Sequence, residues 1–476
     1  MKFEQCPKAF FMYKNFPFLK DKLSVDKQLT FKRGHEVGAL AQQLFPGGID
    51  VSNSCSNAQA ALAYTKELIA QNQEVIYEAA FMHQGFLIYV DILVHINGEY
   101  IAYEVKSSLK VSETYLKDAY LQYYVLKHVL KGFQDMFLVT LNGDYRLEGE
   151  IEPKKLFKKR GVRVKAEENL AYFAHRLQEA NELLDENKIP NTPVGLHCFR
   201  PYSCDFFGTC WKDRMHDDSI FHLPMIDKNT LFEWYEMGYK NLTQLDAGMF
   251  EKSHQKNIWQ AFLEKRPIVN RDSIAVFVGG VKNSMVAMDM EIWNPAIPQL
   301  QGSKPFEQIP FLVCTYDGEK QENYFATGTE QGALEFAEAL IKLTENYKSV
   351  LVYDKTMEIS TIEMLIKKVP AQKTPLERLC NKIHDIFEVF LGLHFYDPAF
   401  KNNFSLKTTA GVLLGEQIGY AQISSGLEAM AYYNQFLHSE EGEEKEKLKQ
   451  ALIQYCDADS KATFELFGYL KSIVNH

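Results

Sequence analysis

The sequence lacks the features that would place the protein in a membrane or send it across one. No run of about 18 consecutive apolar residues occurs among its 476 residues, so no transmembrane helix is expected. The first residues, Met-Lys-Phe-Glu-Gln-Cys, contain no apolar stretch of the kind that signal peptides need. We therefore expect a cytoplasmic protein with no membrane partner.

Basic residues are too few for the whole surface to bind a polyanion. The chain has 52 Lys and Arg against 62 Asp and Glu, which gives a net charge of -10. A nucleic acid would therefore need a local basic track. The candidate is the run 153–165, in which seven of 13 residues are Lys or Arg, although a solvated charged loop has the same composition.

A phosphate-binding Gly-x-x-x-x-Gly-Lys-Ser/Thr motif is also missing, so any ATP-driven step must come from a partner. The chain is otherwise ordinary for a globular protein, with 46% apolar and 24% charged residues. Its length is too great for one core and predicts two or three domains.

The most informative segment is a predicted β-hairpin. Asn97-Gly98 separates two strand-like runs, 85–96 and 99–106, and this dipeptide is a strong signal for a two-residue turn. Pairing outward from that turn places Asp91 opposite Glu104, with Cβ atoms ~5 Å apart, and puts Lys106 on the same face. A hard divalent cation between the carboxylates would remove their repulsion, and Lys106 could orient a water on it. The plainer alternative is an acidic pair on an exposed sheet face with a lysine partner.

This arrangement resembles the PD-(D/E)XK nucleases, in which an Asp ends one strand and Glu-x-Lys lies on the next. His35, in Arg-Gly-His at the start of an apparent helix, is similar to the metal-binding His of RecB-like nucleases. Gln122, in a predicted helix 115–130, is similar to the Gln of the helix that follows the lysine strand in that group. The resemblance implies that His35, Asp91 and Glu104 bind metal, with Glu78 as an extra acidic group.

Four of the eight cysteines are placed as metal ligands would be. Cys198, Cys204 and Cys210 are evenly spaced in a loop rich in aromatic residues, and Cys6 stands near the N-terminus. Disulfides are not expected in the cytoplasm, and four thiolates can bind zinc or a [4Fe–4S] cluster. The spacing alone leaves both possibilities open. The other four cysteines have no ligand-like spacing and are expected to be free thiols: Cys55, Cys314, Cys380 and Cys456.

One cysteine before the nuclease core and three after it resembles the iron–sulfur RecB-like nucleases, which include the CRISPR-associated adaptation nucleases and AddB. The resemblance implies a [4Fe–4S] cluster on these four cysteines, with zinc as the alternative. It also implies that the cluster fastens the end of the domain to its beginning. Both gaps between the three later cysteines are five residues, whereas many relatives have two cysteines only two residues apart.

The C-terminal half carries a second set of acidic residues. After a connector of short predicted helices, a β-rich segment is expected from Ser273 onward, and Asp289 and Glu291 share one face of a strand. A later strand, 349–354, leads into Glu358. Tyr455 and Asp459 lie four residues apart on one face of a C-terminal helix. Each of these patterns also occurs as ordinary solvated surface.

In this order they resemble the DEDDy 3′–5′ exonucleases of RNase H-like fold. The resemblance implies that Asp289, Glu291, Glu358 and Asp459 hold two Mg²⁺ or Mn²⁺ ions and that Tyr455 orients the attacking water. The second motif departs from the family pattern, because Glu358 stands where Asp is usual. Asp354 is therefore a rival ligand, and Asp385 is a further acidic group near the site.

Over nearly its full length the chain resembles an uncharacterised bacterial family that joins an iron–sulfur RecB-like half to an exonuclease-like half. We expect an α/β protein with a PD-(D/E)XK domain (1–215), a helical connector (216–272) and an RNase H-like domain (273–476). The predicted function is a DNA nuclease with two catalytic centres, acting on single-stranded DNA in repair, recombination or defence, with a helicase as a possible partner. The alternatives are an RNA exonuclease and a non-catalytic iron–sulfur adaptor that binds nucleic acid.

Overall fold

The computed structural model describes residues 1–329, 331–415 and 422–475. The chain divides into two compact units, and each contains helices and a mixed β-sheet, as the α/β prediction requires. The first unit is Met1–Trp211 with Pro295–Glu307, and the second is Lys212–Asn294 with Gln308–His476. No helix in the described part of the chain has both the length and the apolar character needed to cross a membrane.

The first unit is a six-stranded sheet with helices on both faces. Its strands lie in the order β1-β2-β3-β4-β5-β6, parallel between β1 and β2 and between β4 and β5, and antiparallel elsewhere. The strands are β1 (Ile49–Asp50), β2 (Val75–His83), β3 (Phe86–Ile96), β4 (Glu99–Lys106), β5 (Phe133–Leu141) and β6 (Phe157–Gly161). The helices are α1 (Lys2–Gln5), α2 (Pro7–Asn15), α3 (Val25–Gln42), α4 (Val51–Ser54), α5 (Ala58–Ala70), α6 (Glu113–Val129), α7 (Pro153–Leu156), α8 (Arg163–Glu168), α9 (Leu170–Asp185) and α10 (Phe207–Trp211).

Alternation along the strands explains why this sheet is covered on both sides. Ile76 of β2 and Leu93 of β3 pack in a core with residues of α5, α6 and α9. Their neighbours Tyr77 and Ile92 pack in a second core with residues of α3. Successive side chains of a strand point to opposite faces, so apolar residues at both odd and even positions bury both faces of the sheet.

The short segment Pro295–Glu307 is part of the first unit although it comes late in the chain. Its backbone pairs with residues near 147: Gly302 donates to the Leu147 carbonyl at 2.7 Å, and Leu147 donates to Ser303 at 3.0 Å. Ala296 is buried in the core that contains α3. This segment therefore completes the first unit rather than the second.

The second unit is built on a five-stranded sheet of order β10-β9-β8-β11-β12, with a two-stranded sheet of β13 and β7. The strands are β7 (Ile268–Val269), β8 (Met285–Trp293), β9 (Ile309–Tyr316), β10 (Gln321–Phe325), β11 (Ser349–Val352), β12 (Ile383–Asp385) and β13 (Phe395–Tyr396). The helices are α11 (Lys228–Glu236), α12 (Ser253–Glu264), α13 (Arg271–Gly280), α14 (Gly332–Thr344), α15 (Thr356–Lys368), α16 (Lys373–Cys380), α17 (Phe387–Leu391), α18 (Leu406–Leu414), α19 (Gly426–His438) and α20 (Glu443–Asn475).

The two faces of this second sheet have different partners. Met288 and Met290 of β8 pack in a core with α14, α15 and α16. The residues between and beside them, including Asp289 and Glu291, therefore point to the other face, where α20 packs along β8 and β9. The carboxylates of β8 thus face the C-terminal helix.

Two predicted element boundaries were wrong. Residues from Ser273 to Gly280 form the helix α13 rather than the start of a β-rich segment, because the Asn270 side chain accepts from the Ser273 amide and caps the helix. The helix that carries His35 begins at Val25, where Ser24 caps it, and not near Arg33. The short helices predicted before Ser273 are present as α11 and α12, within the second unit.

Candidate functional site

The predicted hairpin is confirmed, and its register brings acidic residues together. Asn97 and Gly98 have φ of 53° and 82°, as a tight I′-type turn requires, and the pairs run from Ile96–Glu99 to Ile92–Tyr103. The paired register ends at Ile92–Tyr103, one step before Asp91 and Glu104. The Asp91 Oδ2 atom accepts a hydrogen bond from the Val105 amide at 2.5 Å.

A third carboxylate continues this row onto β2. The pairs Tyr77–Ile92 and Ala79–Val90 leave Glu78 opposite Asp91, with Glu78 in the left-handed conformation at φ 53°. Burial raises the pKa of Glu78 to about 7, and the charges of Asp50 and Glu104 add to the effect. Glu78, predicted as an extra acidic group, therefore lies beside the pair.

Glu104 is buried and Asp91 is half-buried, and one oxygen of Glu104 has no partner. Glu104 is 5% exposed, and its Oε2 atom is buried without a hydrogen-bond partner. Burial, together with the charge of Asp91, raises the pKa of Glu104 to about 8. Burial and the charge of Glu78 likewise raise the pKa of Asp91 to about 7. An orphaned carboxylate oxygen in such a row suits a hard divalent cation.

Lys106 is held by two carboxylates, one of which the sequence analysis missed. Its Nζ atom donates to Glu104 Oε1 at 2.6 Å and to Asp118 Oδ2 at 2.8 Å. Burial alone would lower the pKa of Lys106, but the charges of Glu104 and Asp118 raise it above its ordinary value. Asp118 lies one turn before Gln122 on α6, and the Oε1 atom of Gln122 is buried without a partner. The four-residue spacing from Gln122 was the signal that could have identified Asp118.

The structure does not place His35 against these carboxylates. His35 is exposed on α3, while Val37 and Ala41 of the same helix pack in the core on the other face of the sheet. The only three-residue metal-ligand group found among the described residues lies elsewhere in the chain. The ligand role of His35 stays a prediction.

All four predicted metal-ligand cysteines line one pocket. Cys6, Cys198, Cys204 and Cys210 surround it together with aromatic residues that include Trp211, and none of them forms a disulfide. The Ala9 amide donates to the Cys6 sulfur at 3.4 Å, at the N-terminus of α2. Backbone N–H groups directed at sulfur stabilise the thiolate form, which is the form that binds metal.

The thiols of this pocket are close enough to affect one another's ionisation. Burial raises the pKa of Cys204 to about 11, and the charges of the other three cysteines add to the effect. No three of the four sulfurs, all of which are described, lie within 4.8 Å of one another. The pocket thus brings together four thiols, which is the ligand set of a zinc ion or of a [4Fe–4S] cluster.

The second group of carboxylates forms where β8 meets α20. One oxygen from each of Asp289, Glu291 and Asp459 lies within 4.8 Å of the others. Burial raises the pKa of Asp289 to about 8, with a contribution from the charge of Asp459. Burial and the charges of Asp289 and Asp459 raise the pKa of Glu291 well above its usual range. The Asp289 Oδ2 atom is buried without a hydrogen-bond partner, so this cluster also suits a cation.

Glu358, rather than Asp354, extends this cluster. Glu358 is 5% exposed and its Oε2 atom is buried without a partner. Burial, and then the charge of Asp289, raise the pKa of Glu358 well above its usual range. Asp354 is exposed, and its Oδ1 atom accepts from the Thr356 amide and hydroxyl at the start of α15. Asp354 is therefore engaged with Thr356 in the turn before α15, and Glu358 takes the inner position.

Asp385 positions the turn that presents Glu358. Its carboxylate accepts from the amides of Asp354 at 2.9 Å, Lys355 at 3.1 Å and Phe387 at 3.0 Å. These bonds join the end of β12 to the turn between β11 and α15. Asp385 thus acts through the backbone, and its oxygens are committed to amides.

Replacing Asp385 by alanine should release this turn. Three partly buried amides would lose their acceptor, at a cost of about 3 kcal/mol, and thermal unfolding should shift down by roughly 6–12 °C. Mn²⁺ binding by calorimetry should weaken as Glu358 moves. Asp397→Ala, which removes a cap with one amide bond to Ala399, is the matched control and should cost about 1 kcal/mol or less. Wild-type stability in Asp385→Ala would contradict this role.

Tyr455 and Lys407 complete the surroundings of the second cluster. Tyr455, four residues before Asp459 on α20, is buried at 8% exposure. The Nζ atom of Lys407 lies 4.9 Å from the centre of the Tyr455 ring, and its charge lowers the pKa of Glu291. Lys407, in the first turn of α18, also donates a hydrogen bond from its Nζ atom to the Ser424 carbonyl. The sequence analysis gave Lys407 no role, because a single basic residue in a helix carries no local signal.

The basic run 153–165 is not a free positive track. It forms α7, the edge strand β6 and the start of α8, and several of its charges are paired with nearby acids. The pairs are Lys155–Glu152, Lys158–Asp144, Arg163–Glu167 and Lys165–Glu168. A role for this run in nucleic-acid binding stays a prediction.

One family matches part of the chain. Residues 286–405 match the family described as Domain of unknown function (DUF2779). The matched stretch contains Asp289, Glu291, Glu358 and Asp385, and it ends before α18, Tyr455 and Asp459. None of the curated proteins compared with this chain matches it. The geometry of the sites must therefore carry the functional argument.

Proposed function

We propose that this protein is a metal-dependent nuclease and that its second unit is a 3′–5′ exonuclease of the DEDDy type. The observation that carries the proposal is the group of three carboxylates, Asp289, Glu291 and Asp459, within 4.8 Å, with the buried Glu358 beside it. Buried carboxylates at this density repel one another unless cations bind between them. Four such ligands match the charge of two divalent ions.

The sheet topology supports an RNase H-like fold for this unit. In the order β10-β9-β8-β11-β12, β9 is antiparallel to both of its neighbours, while β8, β11 and β12 are parallel. Strand β8, which comes first along the chain among these five strands, therefore lies in the middle of the sheet and carries Asp289 and Glu291. The resemblance to DEDDy exonucleases implies the same placement of these two carboxylates. The C-terminal helix brings Tyr455 and Asp459 to the same face.

The residues of this site would have separate roles in phosphodiester hydrolysis. Two divalent ions, when bound, stabilise the attacking and leaving oxygens of an in-line displacement. Asp289, Glu291, Glu358 and Asp459 would hold those ions. The Tyr455 hydroxyl would orient the attacking water, and the Lys407 ammonium beside the ring would attract the substrate phosphate.

The first unit is proposed to be a second nuclease centre of the PD-(D/E)XK type. Asp91 and Glu104 would bind one divalent ion, and the Lys106 ammonium would orient a water next to Glu104. Asp118 holds Lys106 in place for that task. The row of Glu78, Asp91 and Glu104 across three strands supports this assignment.

The cysteine pocket is proposed to hold a [4Fe–4S] cluster, with zinc as the alternative. Four thiols around one pocket and the N–H donor to Cys6 support a bound metal group, and the resemblance to iron–sulfur RecB-like nucleases favours a cluster. Cys6 opens α2, whereas the other three cysteines lie in the segment that ends the main part of the unit at Trp211. The cluster would therefore join these two distant segments.

The test is cleavage of single-stranded DNA labelled at its 5′ end, by protein purified without oxygen, in Mn²⁺. A ladder of shortening products is the expected result, and Ca²⁺ in place of Mn²⁺ should suppress it. RNA of equal length, added as a competitor, separates a DNA nuclease from an RNA exonuclease. Absence of cleavage of either strand would favour the non-catalytic adaptor.

The carboxylate pKa values predict how Mn²⁺ binding depends on pH. Burial raises the pKa values of Asp289 and Glu104 to about 8, so the metal-free sites hold protons at pH 6 that an incoming ion must displace. Mn²⁺ affinity should therefore rise from pH 6 to pH 8, by about tenfold per pH unit for each displaced proton. Calorimetry in two buffers with different heats of ionisation measures that proton release. A dissociation constant that does not change with pH would contradict it.

The raised carboxylate pKa values also predict how the stability of the metal-free protein depends on pH. The unfolded chain releases these protons near pH 4, whereas the folded chain keeps them up to about pH 8 at Asp289 and Glu104. Stability in EDTA should therefore decrease as pH rises between those values, and Mn²⁺ should restore it.

A further inference from the structure

Two histidines of the first unit are in ring contact where β2 ends beside α6. His83 is the last residue of β2, and His128 lies in the last turn of α6. The centres of their rings are 4.7 Å apart, with 23° between the ring planes. Both rings also contact the ring of Tyr124, at 5.7 Å for His83 and 4.3 Å for His128. Two imidazoles from separate elements of the fold are therefore close neighbours.

A hydrogen bond determines which nitrogen of His128 is free to bind a ligand. The His128 Nδ1 atom lies 2.7 Å from the Tyr124 carbonyl oxygen, which can only accept. Nδ1 therefore carries the hydrogen of the neutral ring, and Nε2 keeps its lone pair. Metal-binding histidines are oriented in this way, because they donate their other ring N–H to a carbonyl or carboxylate. His128 is exposed, so an ion can reach it from solvent.

His83 contributes a nitrogen without a hydrogen-bond partner. Its Nε2 atom is buried and forms no hydrogen bond with any residue that the structure describes. Such a nitrogen has lost its bond to water, and a bound ion would replace that bond. Burial lowers the pKa of His83, and the charge of His128 adds to the effect. At pH 7 the His83 ring is therefore neutral, which is the form that binds metal.

We propose that His83 and His128 together bind a divalent transition-metal ion that prefers imidazole, such as Zn²⁺, Ni²⁺ or Cu²⁺. Two imidazoles on one ion, with bonds of about 2.1 Å, have ring centres roughly 4.5–5 Å apart. The 4.7 Å separation of these two rings agrees with that arrangement. Mg²⁺, Ca²⁺ and Mn²⁺ prefer oxygen ligands and are not expected here. A cation at this place also lies at the C-terminal end of α6, where the helix dipole favours it.

Such an ion would fasten β2 to α6 within the first unit. The helix α6 also carries Asp118, which holds Lys106. Two protein ligands leave the other positions of the ion open to water, so occupancy should follow the concentration of free ion. The site uses neither the carboxylates nor the cysteines, so the inference is independent of the nuclease and of the cluster.

The alternative is that the two rings only pack against each other and against Tyr124. Packing needs a flat ring at position 83 and no nitrogen, so phenylalanine should replace His83 with little effect. Metal binding needs the nitrogen, so the same substitution should weaken it. His83→Phe therefore separates the two roles.

The test is acylation of the holoprotein by diethyl pyrocarbonate at pH 7, with the modified histidines mapped by mass spectrometry. The reagent reacts with the free nitrogen of a neutral imidazole, and a bound ion blocks that nitrogen. We expect Ni²⁺ to protect His128, and Mg²⁺ at the same concentration to leave its modification unchanged. In His83→Phe the Ni²⁺ concentration for half-maximal protection should rise about 10–100-fold or more, since loss of even an outer partner of a ligand costs that much.

His175 is the matched control, because it is a single imidazole on α9 that is 70% exposed and lies 3.5 Å from a Glu179 oxygen. Its modification should not change at Ni²⁺ concentrations that protect His128. Equal modification of His128 with and without Ni²⁺ in the wild type would overturn the site, whatever the variant does. Equal protection in His83→Phe and wild type would also overturn it. Thermal unfolding without added metal checks that His83→Phe folds. Either negative result leaves the nuclease proposal standing.

Discussion

Replacing Asp289 by asparagine is expected to abolish the ladder of 3′-shortened DNA products. The half-buried Asp289 carboxylate has an oxygen within 4.8 Å of oxygens of Glu291 and Asp459, and its loss removes a charge that the bound ions need. The ions supply several kcal/mol of transition-state stabilisation, so the rate should fall about 10³-fold or more. The measurement is single-turnover cleavage of 5′-labelled single-stranded DNA in Mn²⁺.

Two variants make this result specific to one centre. Lys106→Ala disables the proposed centre of the first unit and should leave the ladder intact. Asp457→Asn changes a partly buried carboxylate on α20 that is bonded to Gln321 outside the cluster, and it should change the rate about threefold or less. Thermal unfolding checks the fold, and Asp289→Asn should not destabilise the metal-free protein, because it removes a buried repulsion.

The opposite pattern of activities would assign DNA cleavage to the first unit instead of the second. Loss of cleavage in Lys106→Ala, with full activity in Asp289→Asn, would place the reaction on the hairpin of the first unit. The carboxylates of the second unit would then serve binding or structure. This outcome would contradict the exonuclease proposal while keeping a nuclease.

Replacing Cys198 by serine is expected to remove the metal group and to destabilise the first unit. Cys198 is 6% exposed and lines the pocket with the other three thiols. Metal binding to a site that the unfolded chain lacks contributes directly to folding free energy. A loss of several kcal/mol should lower the unfolding temperature of this unit by roughly 10 °C or more. Iron and sulfide analysis should fall together with the visible absorbance of the purified protein.

Cys55→Ser is the matched control for this experiment. Cys55 is a partly buried thiol of the same unit that packs against the core and lies outside the pocket. Its replacement should lower the unfolding temperature by about 2 °C or less and leave the metal content unchanged. Zinc without iron in the wild-type protein would overturn the cluster assignment. Equal effects of Cys55→Ser and Cys198→Ser would overturn the role of the pocket.

The parts of the fold that local sequence determines were predictable. Asn97-Gly98 specified both the turn and the register of the hairpin as far as Ile92–Tyr103, so counting from the turn placed Asp91 and Glu104 on neighbouring strands one step beyond the last pair. The strand of Asp289 and Glu291 and the helix of Tyr455 and Asp459 were also visible from their periodicity. The sequence did not show that this strand and this helix pack together, since they are more than 150 residues apart and no local pattern encodes such a contact.

Local patterns failed where tertiary packing decided the outcome. Ile274, Val276 and Val278 alternate as a strand would, yet the Asn270 cap and the packing of Phe277 against Phe467 of α20 favour a helix. The resemblance favoured Glu358 as the metal ligand and left Asp354 as a rival. In the structure the two differ in burial. The turn that Asp385 holds directs Glu358 inward and leaves Asp354 in solvent.

The placement of Pro295–Glu307 constrains how such a protein could arise or be divided. The chain leaves the first unit at Trp211, returns to it for this segment, and leaves it again at Glu307. A fragment that stops near residue 215 would lose the backbone partner of Leu147 and the buried Ala296. A single recombination between two genes could not exchange one complete unit for another. The two proposed centres should therefore be separated by point substitution rather than by cutting the chain.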